Sequence, residues 1–142
     1  MSSDTITIQL NSSDTTGKSY RFHPKETISG SVTIYPDQDI NCKHLYIRLL
    51  WQTRGRGTRY LQKIAEQDVF QGDLRKGMPR TFDFSFTLPK KPWSYEGHYI
   101  SIDWVLEVQV DVPWKKDLKQ VETFLMYPDP PAMAEGFSDS TW

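Results

Sequence analysis

A cluster of basic side chains is the strongest chemical feature of this sequence. Four basic residues flank a glycine-bearing turn: Arg54, Arg56, Arg59 and Lys63. A guanidinium group binds a carboxylate or a phosphate through two parallel hydrogen bonds, so such a cluster suits an acidic or phosphorylated protein partner. The alternative is a solvated turn whose charges protect a sheet edge from aggregation.

The net charge of −1 conceals an uneven distribution. Residues 43–80 contain nine lysines and arginines against three acidic residues, which gives +6. The rest of the chain contains eight basic against fifteen acidic residues, which gives −7. This pattern indicates a polar surface with two unlike faces, and we expect no nucleic-acid partner.

No residues form a recognisable catalytic constellation. The three histidines lie in or beside turns or at a strand start: His23, His44 and His98. Ser94 does not fit a nucleophile elbow, because Pro92 stands where that motif needs glycine. We therefore predict that the chain is not an enzyme.

A metal site is also not expected. Residues 37–41 resemble the opening of a calcium loop, but Cys42 and Arg48 stand where that loop needs glycine and glutamate. The single cysteine can form neither an internal disulfide nor, alone, a zinc site. We predict no cofactor and no metal.

The chain carries no signal for a membrane span or for secretion. No stretch approaches about eighteen consecutive apolar residues. The first ten residues lack the basic and apolar regions of a signal peptide. We therefore expect a cytoplasmic protein.

Alternation of apolar and polar residues with period two dominates the sequence. The alternating runs cover residues 6–10, 28–34, 45–51, 82–88, 100–112 and 121–127. Residues 58–71 also fit helical spacing, but we interpret them as a strand because Gly55, Arg56 and Gly57 predict a hairpin. Short strands separated by turns predict an all-β sandwich or barrel, with the apolar faces packed together as two sheets.

The length predicts one domain, which we place at residues 1–128. Residues 129–142 contain three acids, no base and no periodicity, so we expect a flexible acidic tail. Within it, Phe137 and Trp142 are candidates for docking on a partner.

Four segments of the chain resemble the arrestin-like family. Residues 28–32 are similar to its strand "h-x-G-x-V", and residues 84–89 to its strand "F-x-F-x-h-P". The family's loop "P-x-S-x-x-G" is matched by Pro92, Ser94 and Gly97. The family's next strand is matched by Ile102, Trp104, Leu106, Val108, Asp111 and Pro113.

The resemblance implies an immunoglobulin-like antiparallel sandwich and a non-enzymatic adaptor or scaffold. The family includes the receptor-binding arrestins, the arrestin-like subunit of retromer and bacterial sporulation-control proteins. Members typically contain two sandwiches, and this chain has room for one, so either one suffices or two chains associate. The ionic core and phosphate-sensing residues of the visual arrestins cannot be placed on this sequence.

Two other functions are compatible with the residues. The chain could self-assemble as a homodimer through a sheet edge or an apolar face, and we expect that face to include Tyr46, Leu50, Val105, Phe124 and Met126. These residues lie opposite the apolar faces, so some should be exposed. The chain could instead bind carbohydrate by stacking on Trp93, Tyr95 and Trp114, although the missing acid/base pair makes an enzyme on such a site a poor fit.

Overall fold

The computed structural model describes residues 5–11, 15–16, 19–55, 59–113 and 116–128. The strands in these ranges are β1 (Thr5–Leu10), β2 (Thr15–Thr16), β3 (Ser19–Phe22), β4 (Thr27–Tyr35), β5 (Ile40–Cys42), β6 (His44–Gly55), β7 (Leu61–Asp68), β8 (Gly72–Leu74), β9 (Arg80–Thr87), β10 (Tyr95–Glu96), β11 (Ile100–Asp111) and β12 (Leu118–Met126). No helix in the described ranges is long and apolar enough to cross a membrane.

The strands form two main sheets that pack face to face as a β-sandwich. The smaller sheet has the order β1-β4-β9, and the larger has the order β2-β3-β12-β11-β6-β7, with β10 beside β11. Strands β5 and β8 form a separate short pair. The pairing is antiparallel except between β12 and β3, which run parallel.

The hydrophobic core lies between the two sheets. It is built from alternate residues of β4 and β9 on one side and of β6, β11 and β12 on the other. Trp104 is its largest fully buried side chain, and the indole N–H donates to the carbonyl of Pro92 at 2.8 Å. This hydrogen bond satisfies the buried polar atom of the indole ring, as a buried tryptophan requires.

Most of the predicted elements are confirmed. Each of the six alternating runs forms a strand. The segment 58–71, which also fits helical spacing, contains the strand β7, and β7 pairs antiparallel with β6. The strands that the alternation did not predict are β2, β3, β5, β8 and β10, which have two to four residues each. Strands of this length are too short to show a period.

The expectation that Phe124 and Met126 lie on an exposed face is wrong. Both side chains are buried in the core, and Phe124 contacts the rings of Phe22 and Trp104. The alternate residues of β12 that face outward include Val121, which is half exposed. The end of β12 is a run of consecutive apolar residues, so its pattern does not indicate which side chains face the core.

Leu50 and Val105 also differ from expectation, because each is only 4% exposed. They lie on the outer face of the larger sheet, directly opposite each other across β6 and β11. The next outward-facing cross-strand pairs on either side are Arg48 with Glu107 and Gln52 with Asp103. The aliphatic stems of such long polar side chains cover a small apolar pair. Tyr46 remains partly exposed on the same face.

Gly30 is a point of close approach between two strands. It pairs with Leu10, and a Cβ atom added to it would lie 2.1 Å from the carbonyl oxygen of Gln9. The contact involves backbone atoms, so β1 and β4 cannot relax by a side-chain rotation. This confirms the requirement for a glycine in the middle of β4.

We expect Gly30→Ala to lower the free energy of unfolding by about 1–3 kcal/mol, because the new methyl group forces β1 away from β4. Urea denaturation followed by circular dichroism measures the change. Ser31→Ala, on the next residue of the same strand, is the control and should stay within about 0.5 kcal/mol of the native chain. Equal stabilities for Gly30→Ala and the native chain would contradict the close approach.

Candidate functional site

The basic cluster lies at the turn between β6 and β7, and its members differ in how far they are neutralised. Arg54 is bound to Asp103 of β11 through two hydrogen bonds, Nε to Oδ2 at 2.5 Å and Nη2 to Oδ1 at 3.2 Å. The hydrogen bond to Asp103 raises the pKa of Arg54 above its ordinary value. About half of the Arg54 side chain remains exposed.

The other cations of the cluster have weaker or neutral partners. Arg59 donates a hydrogen bond to the side-chain carbonyl of Gln52. Lys63 lies 3.4 Å from Glu66, which it shares with Arg48. Among the described residues, no carboxylate is within ion-pair distance of Arg59. Arg56 lies outside the described residues.

Strand β7 forms one edge of the larger sheet. It pairs with β6 on one side, and no described strand pairs with it on the other. Among the described residues, the far end of β7 is bridged to the smaller sheet, where the Gln67 amide donates to the carbonyl of Ser85 at 2.8 Å. The first half of β7 is exposed, including Leu61 and Ile64. The cluster and this edge together form the surface that we call the hairpin edge: Arg54, Arg59, Tyr60 and β7.

Arg48 fixes the middle of β7 to the rest of the larger sheet. Its guanidinium binds Glu66 of β7, and Nη1 also reaches Glu107 at 3.0 Å and Gln109 at 2.5 Å on β11. The aromatic ring of Tyr46 lies under the guanidinium, 4.6 Å away. The hydrogen bond from Arg48 lowers the pKa of Glu66 below its ordinary value, although burial opposes this. Sequence reasoning missed this network, since its members are far apart in the chain.

The histidines do not assemble a catalytic site in the described part of the chain. His23 contacts Glu26 beside a turn, and His98 contacts the ring of Tyr99. His44 binds Asp68 at 2.6 Å, and Gln71 contacts both side chains. For Asp68, burial would raise the pKa, but the hydrogen bonds from His44, Gln71 and the Leu45 N–H outweigh it and lower the pKa.

Cys42 is close to His44 in sequence but is not poised as a nucleophile. The thiol is buried and contacts the backbone carbonyl of His44, not its ring. Burial raises the pKa of Cys42 to about 11, with Asp68 and Asp111 adding to the effect. In the described ranges, no three acidic, histidine or cysteine side chains converge to hold a metal ion.

A shallow groove of about 370 Å³ adjoins the hairpin edge on the outer face of the larger sheet. Its lining includes Arg54 of the cluster, the partner residues Asp103 and Gln52, and Ser94 from the loop before β10. The Ser94 hydroxyl accepts a hydrogen bond from the Met126 N–H at 2.9 Å. Arg54, Asp103, Gln52 and Ser94 thus all have hydrogen-bond partners within the chain, and their arrangement is not that of an acid, a base and a nucleophile around one reacting atom.

The aromatic residues considered for sugar stacking lie in different places. Trp93 and Tyr95 are exposed in and beside the loop before β11. Trp114 lies outside the described residues, as do Phe137 and Trp142 of the predicted tail. The alternation pattern gave no sign of the exposed residues at Tyr99 and Ile100, which extend the same aromatic surface.

More than half of the sequence matches a model of a known protein family. The family model of the arrestin (or S-antigen) N-terminal domain matches residues 56–129, just over half of the chain, so the chain belongs to this family. This confirms the resemblance noted from the sequence motifs. The family points to an adaptor or regulatory role through protein interaction, and it is a family without enzymatic activity.

Among solved structures, the chain is similar to Spo0M, a sporulation control protein from Bacillus subtilis. The TM-score is 0.69 at 15% identity, over 92% of this chain and 51% of that chain. The chain thus spans about half the length of that protein, and the likeness at this identity is one of fold. No curated protein sequence matches the chain.

The Arg48–Glu66 contact predicts a pH-dependent stability. The pKa of Glu66 is lower in the folded chain than in the unfolded chain, so its contribution is present above the unfolded pKa and is lost as the pH falls through the folded pKa. We expect Glu66→Gln to be less stable than the native chain at neutral pH and the difference to shrink below about pH 4. Urea denaturation across this pH range tests it, and a difference that does not change with pH would contradict the assignment.

The burial of Cys42 predicts a slow thiol reaction. At about pH 8, a thiol with a pKa of about 11 has roughly a hundredth or less of the thiolate of an ordinary cysteine, and the thiolate is the reacting species. We expect a chromogenic disulfide reagent to label the native chain about 100-fold more slowly than the chain in concentrated urea. Equal rates in the two conditions would show a reactive, accessible thiol.

Proposed function

We propose that this chain is a cytoplasmic, non-enzymatic adaptor that binds an extended, acidic segment of a protein partner at the hairpin edge. The observation that carries the proposal is the open first half of β7, beside the basic cluster. Family membership supports a role in protein interaction. The surface chemistry supports the class of partner.

The backbone of β7 offers hydrogen-bonding groups to an added strand. The Thr53 N–H donates to the Tyr60 carbonyl at 2.9 Å, so this pair is one of the hydrogen-bonded pairs of the β6–β7 ladder. Bonded and non-bonded pairs alternate in an antiparallel ladder, which turns the backbone groups of Leu61 and Lys63 away from β6. An extended peptide can pair with these groups, and this mode of recognition recurs among interaction domains.

The side chains beside the edge supply charge and apolar contact. Arg59 has a neutral partner, and Lys63 is half exposed, so both can meet carboxylates of an added strand. Arg54 can also contribute where a partner carboxylate or phosphate competes with Asp103. Leu61 and Ile64 are exposed within the same strand and offer contacts to alternate apolar side chains of the partner.

The same edge would accept β7 of a second copy of the chain, so homodimerisation is the second candidate. Lys63 and Glu66 have opposite charges, and they can face each other in an antiparallel self-pairing. Light scattering behind size exclusion separates the candidates. A native chain that stays monomeric at high concentration favours a different partner, whereas a dimer that Leu61→Pro disrupts favours self-assembly.

We expect Leu61→Pro to abolish strand addition while leaving the sandwich folded, because it removes an outward N–H that β6 does not use. Peptides from a random display library are selected on the native chain and then measured by fluorescence polarisation. The selected peptides should be rich in Asp and Glu. Leu61→Thr is the matched control, since it shortens the side chain and keeps the N–H.

Removal of the basic charge and addition of salt complete the test. Replacing Arg54, Arg56 and Arg59 together with alanine should weaken the binding of the selected peptides by about tenfold or more. Added salt should weaken the binding of the same peptides to the native chain. Circular dichroism checks that each variant is folded. Peptide binding that is indifferent to Leu61→Pro, to the triple variant and to salt would overturn the proposed site.

A further inference from the structure

A second surface lies beside the hairpin edge, at the same end of the sandwich. Residues 90–100 connect β9 to β11 and carry four exposed apolar side chains: Trp93 at 42%, Tyr95 at 57%, Tyr99 at 62% and Ile100 at 47%. Ile100 pairs with Gly55, which places this segment next to the β6–β7 turn. We call this segment the aromatic loop. The proposed partner site on β7 does not use it.

The aromatic loop is held in place by contacts with the core. The Trp104 indole donates to the Pro92 carbonyl at 2.8 Å, and the Ser94 N–H donates to the Met126 carbonyl at 2.7 Å. Tyr95 and Glu96 form β10 against β11. The loop is therefore a fixed part of the sandwich, and the exposure of its aromatic side chains is a property of the fold.

The exposed rings are also held individually. The Trp93 indole N–H donates to the Lys90 carbonyl at 3.0 Å. The Tyr95 ring lies against Gly97, where an added Cβ would come within 2.4 Å of it. The Tyr99 ring packs edge-to-face on His98, with 4.4 Å between ring centroids. Exposed apolar side chains that lie close together and are held in place are typical of an interaction surface.

The chemistry of the loop matches the interface of an anionic membrane. Tryptophan and tyrosine prefer the boundary between headgroups and hydrocarbon. Because the Trp93 N–H is already bonded within the loop, its ring can enter that boundary without leaving a donor unsatisfied. A sugar site would instead need free donors and acceptors beside the ring.

Charge complementarity selects anionic over neutral lipid. Lys90 and Lys91 are both exposed at the start of the loop, and Arg54 and Arg59 lie on the neighbouring turn. Glu96 and Asp103 oppose them, which leaves a net charge of +2 among these six described residues. Exposed lysines beside rings of this kind can bind the headgroups of phosphatidylserine.

We propose that the aromatic loop docks the domain onto an anionic membrane surface, with Trp93, Tyr95, Tyr99 and Ile100 inserted at the interface and Lys90 and Lys91 on the headgroups. The hairpin edge is adjacent to this loop, so a docked domain would present β7 to a partner near the membrane. The docking itself does not depend on the partner site on β7.

Co-sedimentation of the full chain with lipid vesicles tests the proposal. One set of vesicles is pure phosphatidylcholine, and in the other about one third of the lipid is phosphatidylserine. We expect the native chain to bind the anionic vesicles and to be released by salt. Lys90→Gln with Lys91→Gln, and separately Trp93→Ser with Tyr99→Ser, should each weaken binding by about tenfold or more.

Matched variants at the opposite end of the sandwich are the controls. Tyr35→Ser removes a ring of similar exposure, and Lys43→Gln with Lys76→Gln removes two exposed lysines. These variants should bind as the native chain does. Circular dichroism and thermal unfolding show whether each loop variant is folded, and Trp93→Phe keeps an apolar ring in case the serine variant is not.

Tryptophan fluorescence supplies an independent readout. The native chain should show a blue shift on addition of anionic vesicles, and Trp93→Phe should remove most of that shift while retaining binding. A native chain that fails to sediment with anionic vesicles overturns the proposal and leaves the aromatic loop to a protein or sugar partner. Vesicle binding that the loop variants and controls share equally overturns it as well.

Discussion

The burial of Trp104 in the middle of β11 is the constraint on which much of this structure depends. Strand β11 pairs with β6 on one side and with β12 and β10 on the other, so it is central to the larger sheet. Trp104 faces the smaller sheet from this position and contacts the ring of Phe124. Truncating a buried side chain of this size costs about 3–5 kcal/mol, which is a large part of the stability of a small domain. Its single polar atom must also be satisfied, and the Pro92 carbonyl does so. The same hydrogen bond that completes the core thus positions the loop that carries Trp93 and Tyr95.

The outer face of the larger sheet follows a different rule from the core. There, cations and carboxylates lie on neighbouring strands and neutralise one another, as Arg48 does with Glu66 and Glu107, and Arg54 with Asp103. This arrangement leaves little net charge over the middle of the sheet. In the described part of this face, Arg59 at the edge has a neutral partner and no carboxylate within ion-pair distance. Strand pairing therefore determines which cations of this face are neutralised, and the number of basic residues in the sequence does not reveal it.

The sequence predicted the elements that have a period and failed where the period is ambiguous. The strict alternation of Phe82, Phe84 and Phe86 identified β9 and its inner face. In β12, by contrast, Phe124, Leu125 and Met126 are consecutive apolar residues, so either parity could face inward. Glu122 adds to the ambiguity, because it shares the core-facing parity with Phe124. Strand β3 pairs only with the end of β12, from Phe124 to Met126, and Glu122 lies beyond this pairing and is partly exposed. Burial there raises its pKa above the ordinary value without sealing it from water. The basic cluster was visible in the sequence, but the Asp103 and Gln52 partners that divide it were not, since strand pairing between distant segments determines them.

The two exposed features at one end of the sandwich share a structural cause. The β6–β7 turn and the aromatic loop meet because Ile100 pairs with Gly55, and the Tyr99 carbonyl would lie 2.2 Å from a Cβ atom at that glycine. Gly55 also has φ of +140°, a backbone conformation that other residues rarely adopt. The absence of a side chain at Gly55 therefore allows the aromatic loop to pack against the basic turn. The exposed side chains of these two features do not contribute to the core, because Trp93, Tyr95, Arg59 and Leu61 remain in solvent while the neighbouring Trp104 is fully buried. The fold thus holds exposed apolar and basic side chains at the same end while it neutralises its central face, and this arrangement is the common basis of both proposals.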